Sequence, residues 1–324
     1  MTLGSRKAWS MRGLLWFAWL LALPAHADDT AQLLDAMAKA MRTLDYQGAF
    51  TYQHAGRVDT LRIFHAGGPG ERERLISLNG PRSELVRDGA NVTCTQADGT
   101  TFVYASTTGR GLMPLVPAAD SRALDEHYDV RRIGEDRVAG YLADVIDVAP
   151  RDRLRYGYRF WLERDTRLLL RSMVTDGERR PLEQLMFVSL DIGTPPAEAD
   201  LVPQKRGDSA IALAAPDAEL LVRGAPHWQV EPVPAGFRFV SARRPKQGPA
   251  GAEHLVYSDG LATVSIYVEP RGDAPAGYDT LAGRGTVNVF SRVLEDWRVT
   301  VLGEVPVATV HQIGDGLRRV AADN

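Results

Sequence analysis

The sequence predicts an α+β fold that is mostly β: a large curved antiparallel sheet, then a smaller sheet covered by a helix. Three observations lead there. Short segments of period-two alternation recur at hairpin spacing from Tyr46 to Leu190. Sustained helical periodicity occurs near the beginning of the chain and again at its end. Between Gly193 and Pro226 the pattern weakens into a Pro-, Gly- and Ala-rich connection, which separates two units.

The first helix is read from Leu34, Met37, Met41 and Leu44, spaced by three and four residues, with Asp35, Lys39 and Arg42 elsewhere on the wheel. The period then changes to two. Tyr46, Gly48, Phe50 and Tyr52 fall on one face of a strand, and Leu61 and Ile63 alternate with polar neighbours. The stretch His65–Glu71, with three glycines and a proline, is expected to turn. Further strands are expected at 84–87, 91–96, 101–104, 141–148, 154–163, 168–175 and 182–190. Turn signals such as Asp88-Gly89, Asp98-Gly99 and Asp176-Gly177 lie between them. Gly109–Pro117 reads as a loop before a short helix around Asp120–Leu124. In the second unit, strands are expected at Phe237–Val240, at Ala262–Val268 and around Trp297–Val301. A last helix begins at Pro306, with Val310, Ile313, Leu317 and Val320 on one face. Gly314 and Gly316 each weaken it by about 1 kcal/mol, so it depends on packing.

The first 27 residues form a separate object. Arg6, Lys7 and Arg12 precede an apolar run from Leu14 to Leu23, and Ala25-His26-Ala27 supplies a small-x-small cleavage pattern. That is the form of a secretory leader, and the run is shorter than the roughly 20 apolar residues a bilayer span requires. The mature chain is therefore expected to start near Asp28, soluble and outside the cytoplasm. The formal net charge is −3, and loss of the three leader bases makes it −6. An acidic exported chain is a poor candidate for nucleic-acid binding. Cys94 is the only cysteine, so no intramolecular disulfide exists, and its strand setting suggests a buried thiol.

No catalytic or metal motif stands out. The seven histidines are scattered, without metal-ligand spacing, and there is no nucleophile elbow or phosphate loop. No cofactor is implied. Two features rise above the background. Aromatic residues crowd the strands of the first unit, and Phe50, Tyr52, Tyr158 and Phe160 are candidates to line an apolar cavity rather than only a packed core. In the second unit Arg238, Arg243, Arg244 and Lys246 stand near Trp228, Phe237 and Phe239, the composition of a protein-contact patch. Arginine also suits bidentate pairing with carboxylate or phosphate.

Several segments carry a resemblance. In the first unit they are Leu78-Asn79-Gly80-Pro81-Arg82, His127-Tyr128-Asp129-Val130, Arg137-Val138-Ala139-Gly140, Arg155-Tyr156-Gly157-Tyr158-Arg159-Phe160-Trp161-Leu162 and Leu182-Glu183-Gln184. In the second they are Pro234-Ala235-Gly236-Phe237, Ser241-Ala242-Arg243-Arg244-Pro245, Tyr257-Ser258-Asp259-Gly260-Leu261 and Val301-Leu302-Gly303-Glu304-Val305-Pro306. In this order behind a leader, they resemble the MucB/RseB family of periplasmic regulators of the envelope-stress sigma factor.

The resemblance implies a leader over 1–27, a large domain over 28–192, a linker over 193–226 and a small α/β domain over 227–324. It implies that the large domain is an unclosed β-barrel similar to periplasmic lipoprotein carriers, with helices over its opening. The implied partner is the periplasmic segment of a membrane-spanning anti-sigma factor of the RseA/MucA kind, shielded from site-1 proteolysis. The implied releasing ligand is lipopolysaccharide or lipid A. By position in matching segments or beside them, Trp228, Phe237, Arg243, Arg244, Tyr257 and Asp259 are candidates for the anti-sigma contact. A periplasmic lipid or lipoprotein carrier is the alternative, which the second domain disfavours. A secreted hydrolase has no motif to support it. The sequence is compatible with a homo-oligomer and does not fix the oligomeric state.

Overall fold

The computed structural model describes residues 27–89, 91–105, 111–113, 124–203, 210–212, 220–221, 226–244, 251–275 and 279–320. The expected leader, apart from Ala27, and half of the expected linker lie outside the described residues. So do Lys246 and the loop residues 114–123.

Helix α1 (Ala27–Thr43) comes first, and its Leu34, Met37 and Met41 are buried as their spacing requires. Six strands follow: β1 (Tyr46–His54), β2 (Arg57–Ala66), β3 (Arg72–Ser77), β4 (Glu84–Asp88), β5 (Asn91–Thr95) and β6 (Thr101–Ala105). One turn of helix, α2 (Leu124–His127), leads into β7 (Tyr128–Val138), β8 (Tyr141–Pro150), β9 (Gly157–Glu163), β10 (Leu169–Thr175) and β11 (Pro181–Ile192). With the short parallel strand β12 (Ala210–Ala212), they form a 12-stranded sheet in the order β12-β6-β5-β4-β3-β2-β1-β11-β10-β9-β8-β7. Sequence neighbours pair as antiparallel hairpins, and β1 joins the two halves by pairing with β11. β7 and β12 stand at opposite ends, so the sheet is unclosed.

The sheet curls around α1, which touches β7 and β10. Leu34, Met37 and Met41 share one core with Tyr46, Phe50, Tyr128, Tyr158, Phe160 and Phe187. A smaller cluster of Val138, Ala143, Val145, Trp161 and Leu170 occupies the other face of the same strands.

The second sheet has seven strands. They are β13 (Leu220–Leu221), β15 (Arg238–Arg244), β16 (Glu253–Ser258), β17 (Thr263–Pro270), β18 (Asp279–Arg284), β19 (Val287–Leu294) and β20 (Trp297–Gly303). Their order is β13-β15-β16-β17-β20-β19-β18. The strand between β13 and β15 in the chain, β14 (Trp228–Val230), pairs instead with β21 (Leu317–Arg319). Helix α3 (Val307–Gly316) begins after Pro306 and packs on β19 and β20. It ends earlier than its apolar spacing suggests. Leu317 starts β21 and Val320 lies beyond it, so neither extends the helix face. A Cβ on Gly314 would lie 2.5 Å from Cδ1 of Phe290, so the glycine gives up helix propensity for close packing.

Two other local expectations are corrected, and some strands have a physical reason for going unread. His65 and Ala66 finish β2 instead of starting a turn, because His65 is buried and stacked on Tyr46 at 4.4 Å. β9 begins at Gly157, so Leu154, Arg155 and Tyr156 lie in the loop before it. β3 has no clean alternation, since the charged Glu73 and Arg74 are both buried there. β7 and β18 are the charged, largely exposed edges of their sheets and offer little apolar signal to read.

Candidate functional site

Segments from both domains meet at a buried polar boundary. Arg155 and Asp259 are both fully buried, with Nη1 3.4 Å from Oδ2. The Asp259 oxygens are shared between local and distant donors. Oδ1 accepts the backbone N–H of Leu261 at 3.0 Å and of Ala262 at 2.8 Å, which fixes the β16–β17 turn. Oδ2 accepts the Tyr128 hydroxyl at 2.9 Å. Burial raises the pKa of that phenol, and the neighbouring carboxylate raises it further. The Arg155 guanidinium lies over the rings of Tyr128 and Phe237, at 5.5 and 5.3 Å, and donates to the Ala235 carbonyl. A Cβ on Gly236, whose φ is +83°, would meet the His127 ring at 2.3 Å. The small domain's turn therefore approaches the large domain through bare backbone. Leu261 enters the large hydrophobic core directly.

A second point of contact is Glu183 on β11. Its Oε1 accepts the Thr286 N–H at 2.7 Å and the Thr286 hydroxyl at 3.1 Å, in the turn between β18 and β19. A Cβ on Gly285 would stand 2.0 Å from the same oxygen. The other oxygen accepts the Tyr52 hydroxyl at 2.6 Å. Nearby, Asn288 donates to the Tyr156 hydroxyl at 3.1 Å, and Thr309 donates to the Leu154 carbonyl at 2.5 Å.

Tyr52 also lines a groove of about 730 Å³ with Leu61, Leu75, Leu85, Cys94 and Leu112. Strand register explains the apolar floor. Leu75 pairs with Leu85 and Leu85 with Cys94, so the three project to one face. The rim is polar: His54 stacks on Tyr52 at 4.4 Å and bonds Asp59 at 2.8 Å, and Arg57 and Arg82 stand close by. Burial, then the Glu183 bond, holds the Tyr52 phenol well above its usual range. Cys94 is half-buried in the groove wall rather than fully buried, and burial raises its thiol pKa.

The structure divides the expected lipid-cavity residues. Tyr52 faces the groove. Phe50, Tyr158 and Phe160 do not, because α1 fills the space against them. Phe50 and Phe160 are wholly buried, Phe50 packs edge-on to Phe187, and Tyr158 stacks on Phe160. The groove leucines were missed in the sequence. Their signal was the apolar row shared by β3, β4 and β5.

The expected anti-sigma residues divide as well. Trp228 is buried against Trp297, and the buried Tyr257 accepts the Val230 N–H through its hydroxyl at 3.1 Å. Phe237 and Asp259 belong to the domain boundary. As surface contacts these four are corrected: their side chains are enclosed within the protein. Arg243 and Arg244 remain partly exposed on β15, with Arg244 between Glu253 and His227. The exposed apolar residues beside them are Phe239, at 45%, and Val240, at 59%. Among the described residues, β13 covers the outer edge of β15 only at Arg243 and Arg244.

Among the described residues, one group has metal-ligand proximity: His65, Glu71 and Glu73. Arg87 already bridges the two carboxylates, at 2.5 Å from Glu71 and 2.9 Å from Glu73, so part of their charge is offset internally. No helix among the described residues is long and apolar enough to cross a membrane.

Fold and site define a two-domain β-sheet protein with an apolar-floored groove and a buried polar joint between its domains. The chain belongs to the MucB/RseB family: residues 29–205 match the family's N-terminal domain and residues 222–318 its C-terminal domain. It is 34% identical over 318 residues to the sigma factor AlgU regulatory protein MucB of Pseudomonas aeruginosa, covering 95% of this chain and 97% of that one. It is 30% identical over 323 residues to the sigma-E factor regulatory protein RseB of Salmonella typhimurium, covering 94% and 98%. A crystal structure of MucB in complex with MucA(peri) superimposes with a TM-score of 0.69 at 32% identity, covering 91% of this chain and 100% of that one.

Proposed function

We propose that this chain is a periplasmic regulator that acts by binding rather than by catalysis. Its partner is the periplasmic segment of a membrane-spanning anti-sigma factor, which it shields from the first, site-1 cleavage. Lipopolysaccharide, or its lipid A part, releases it. In this reading the leader directs export and is removed near Ala27.

The observation that carries the proposal is the full-length relation to sigma-factor regulatory proteins, one of which was solved in complex with MucA(peri). The edge of β15 left uncovered at Phe239 and Val240, next to the partly exposed Arg243 and Arg244 where β13 pairs, suits an extended acidic segment added as a strand. Glu183 supports a release mechanism, since one carboxylate holds both a groove residue and a small-domain turn. A lipid in the groove shifts the partner equilibrium only if it favours a domain arrangement that the partner does not.

The test is a cleavage assay. The mature chain, added to the anti-sigma segment and its site-1 protease, is expected to slow cleavage, and lipopolysaccharide is expected to restore it. Unchanged cleavage at saturating regulator refutes the shielding role.

A further inference from the structure

The chain between β11 and β14 lends an edge strand to each sheet. β12 lies parallel on β6, and β13 lies antiparallel on β15. β13 is the shorter of the two. Leu220 pairs with Arg244 and Leu221 with Arg243, and among the described residues the pairing stops there. So few backbone bonds, each of small net value, hold a strand weakly. Gly224 and Pro226, which follow in the sequence, are poor strand residues and oppose growth of β13 toward Phe239.

The other side of this pairing can take more. β15 runs from Arg238 to Arg244 and bulges at Val240, where its register with β16 shifts between Phe239 and Ser241. Bulges recur beside binding sites, where they re-aim side chains. β13 sets leucines opposite Arg243 and Arg244, whereas Asp or Glu in those places adds opposite-charge cross-strand pairs. A longer acidic strand therefore competes well for the same backbone groups.

The competition has a consequence for the domains. Only residues 213–219 separate β12 from β13, so while both strands are paired the connection spans at most about 28 Å. With β13 displaced, the next described anchor to the small domain is His227. Its N–H donates to Glu253 at 3.1 Å, and its carbonyl accepts the Val320 N–H at 2.8 Å. The permitted span from Ala212 then rises to about 52 Å. We propose that β13 is a built-in competitor at the β15 edge: the anti-sigma segment displaces Leu220 and Leu221 as it adds to β15, and this lengthens the tether between the domains. The proposal rests on the reading that the segment is this chain's partner. Coupling of this kind is reciprocal: whatever holds β13 in place weakens the partner, and the bound partner frees the tether.

The experiment titrates the mature chain, and its variant Leu220→Pro with Leu221→Pro, with the anti-sigma periplasmic segment. Proline removes the backbone donors of β13 and leaves β15 untouched. The variant is expected to bind about three- to tenfold tighter than the parent. Hydrogen exchange of the parent at 220–221 is expected to quicken when the segment is bound. Equal or weaker binding by the folded variant overturns the competitor, while binding by the parent keeps the regulator reading. Binding by the variant alone upholds both. If neither chain binds, the regulator reading fails and the competitor falls with it. If the variant does not fold, exchange in the parent decides: quickening upholds the displacement, and unaltered exchange in the bound state overturns it.

Discussion

Arg155 and Asp259 lie 3.4 Å apart with neither side chain accessible to water, one in the loop before β9 and the other in the turn after β16. Two ions taken out of water lose hydration that their attraction alone seldom restores. Here the surroundings compensate. Tyr128 and two backbone N–H groups donate to Asp259, and two aromatic rings flank Arg155. The pair can form in one domain arrangement only, so it specifies how the two sheets dock.

Breaking that pair from one side is expected to be severe. Asp259→Asn keeps an oxygen for the Leu261 and Ala262 N–H groups but removes the buried counter-charge of Arg155, leaving only the partly exposed Asp152, 3.2 Å from its Nε. A loss of about 3–5 kcal/mol is expected by urea denaturation. Replacing both partners with apolar residues, Arg155→Met with Asp259→Leu, is expected to recover part of it. A loss below about 1 kcal/mol in the single variant would show that Asp152 alone suffices as the counter-charge of Arg155.

Glu183→Ala is expected to loosen the turn between β18 and β19 without unfolding either sheet. The Thr286 amide loses its acceptor, at a cost of about 1–3 kcal/mol. Hydrogen exchange read by mass spectrometry is expected to quicken at 284–287 and stay unchanged in β20. Unaltered exchange in the turn would remove Glu183 as the link between groove and small domain.

Gly314→Ala separates two effects of opposite sign. Alanine favours a helix over glycine by about 1 kcal/mol. Its Cβ would also press on the Phe290 ring, at 2.5 and 2.6 Å from two ring carbons, and overpacking costs about 1–3 kcal/mol. Net destabilisation is therefore expected, relieved by adding Phe290→Leu. A raised melting temperature in the single variant would show that α3 can shift away from β19.

Asp144 links stability to pH. Burial alone would raise its pKa, but Arg132 and Arg167, each donating at 2.6 Å, outweigh burial and hold the carboxyl below its ordinary range. A depressed folded-state pKa stabilises the fold above the unfolded value of about 3.9 and ceases to do so as pH falls through the folded value. Asp144→Asn is thus expected to cost about 1–2 kcal/mol at pH 7, the partial exposure of both arginines limiting the effect. The difference from the parent should vanish once pH falls below the folded value. A constant difference down to pH 2 would contradict the assignment.

Much of the fold is legible where a strand has one wet and one dry face. β1, β4 to β6, β8, β10, β11 and β17 follow from alternation and turn residues. β3 hides because its burial includes ions, and the edge strands β7 and β18 hide because most of their residues are exposed. The candidate site was legible in part. Phe237, Tyr257 and Asp259 drew notice as aromatic and charged residues in family-like segments. Alternation says which side chains are enclosed but not what encloses them, and Phe237 and Asp259 are covered by the other domain. Several segments that carry the family resemblance, His127-Tyr128, Arg155-Tyr156, Leu182-Glu183, Pro234–Phe237 and Tyr257–Leu261, converge at that joint. The groove leucines needed the register between strands, which no single segment contains.

The joint is made largely of hairpin tips. The Asp259–Leu261 turn engages Arg155 and Tyr128, and the Gly285–Thr286 turn engages Glu183. A body pinned at two points resists rotation about the line perpendicular to them, whereas one pinned at a single point turns about it. Undoing the Glu183 pin still leaves the Arg155 pin, with Asn288 on Tyr156 and Thr309 on Leu154, so the turn at Gly285–Thr286 comes free before the domain does.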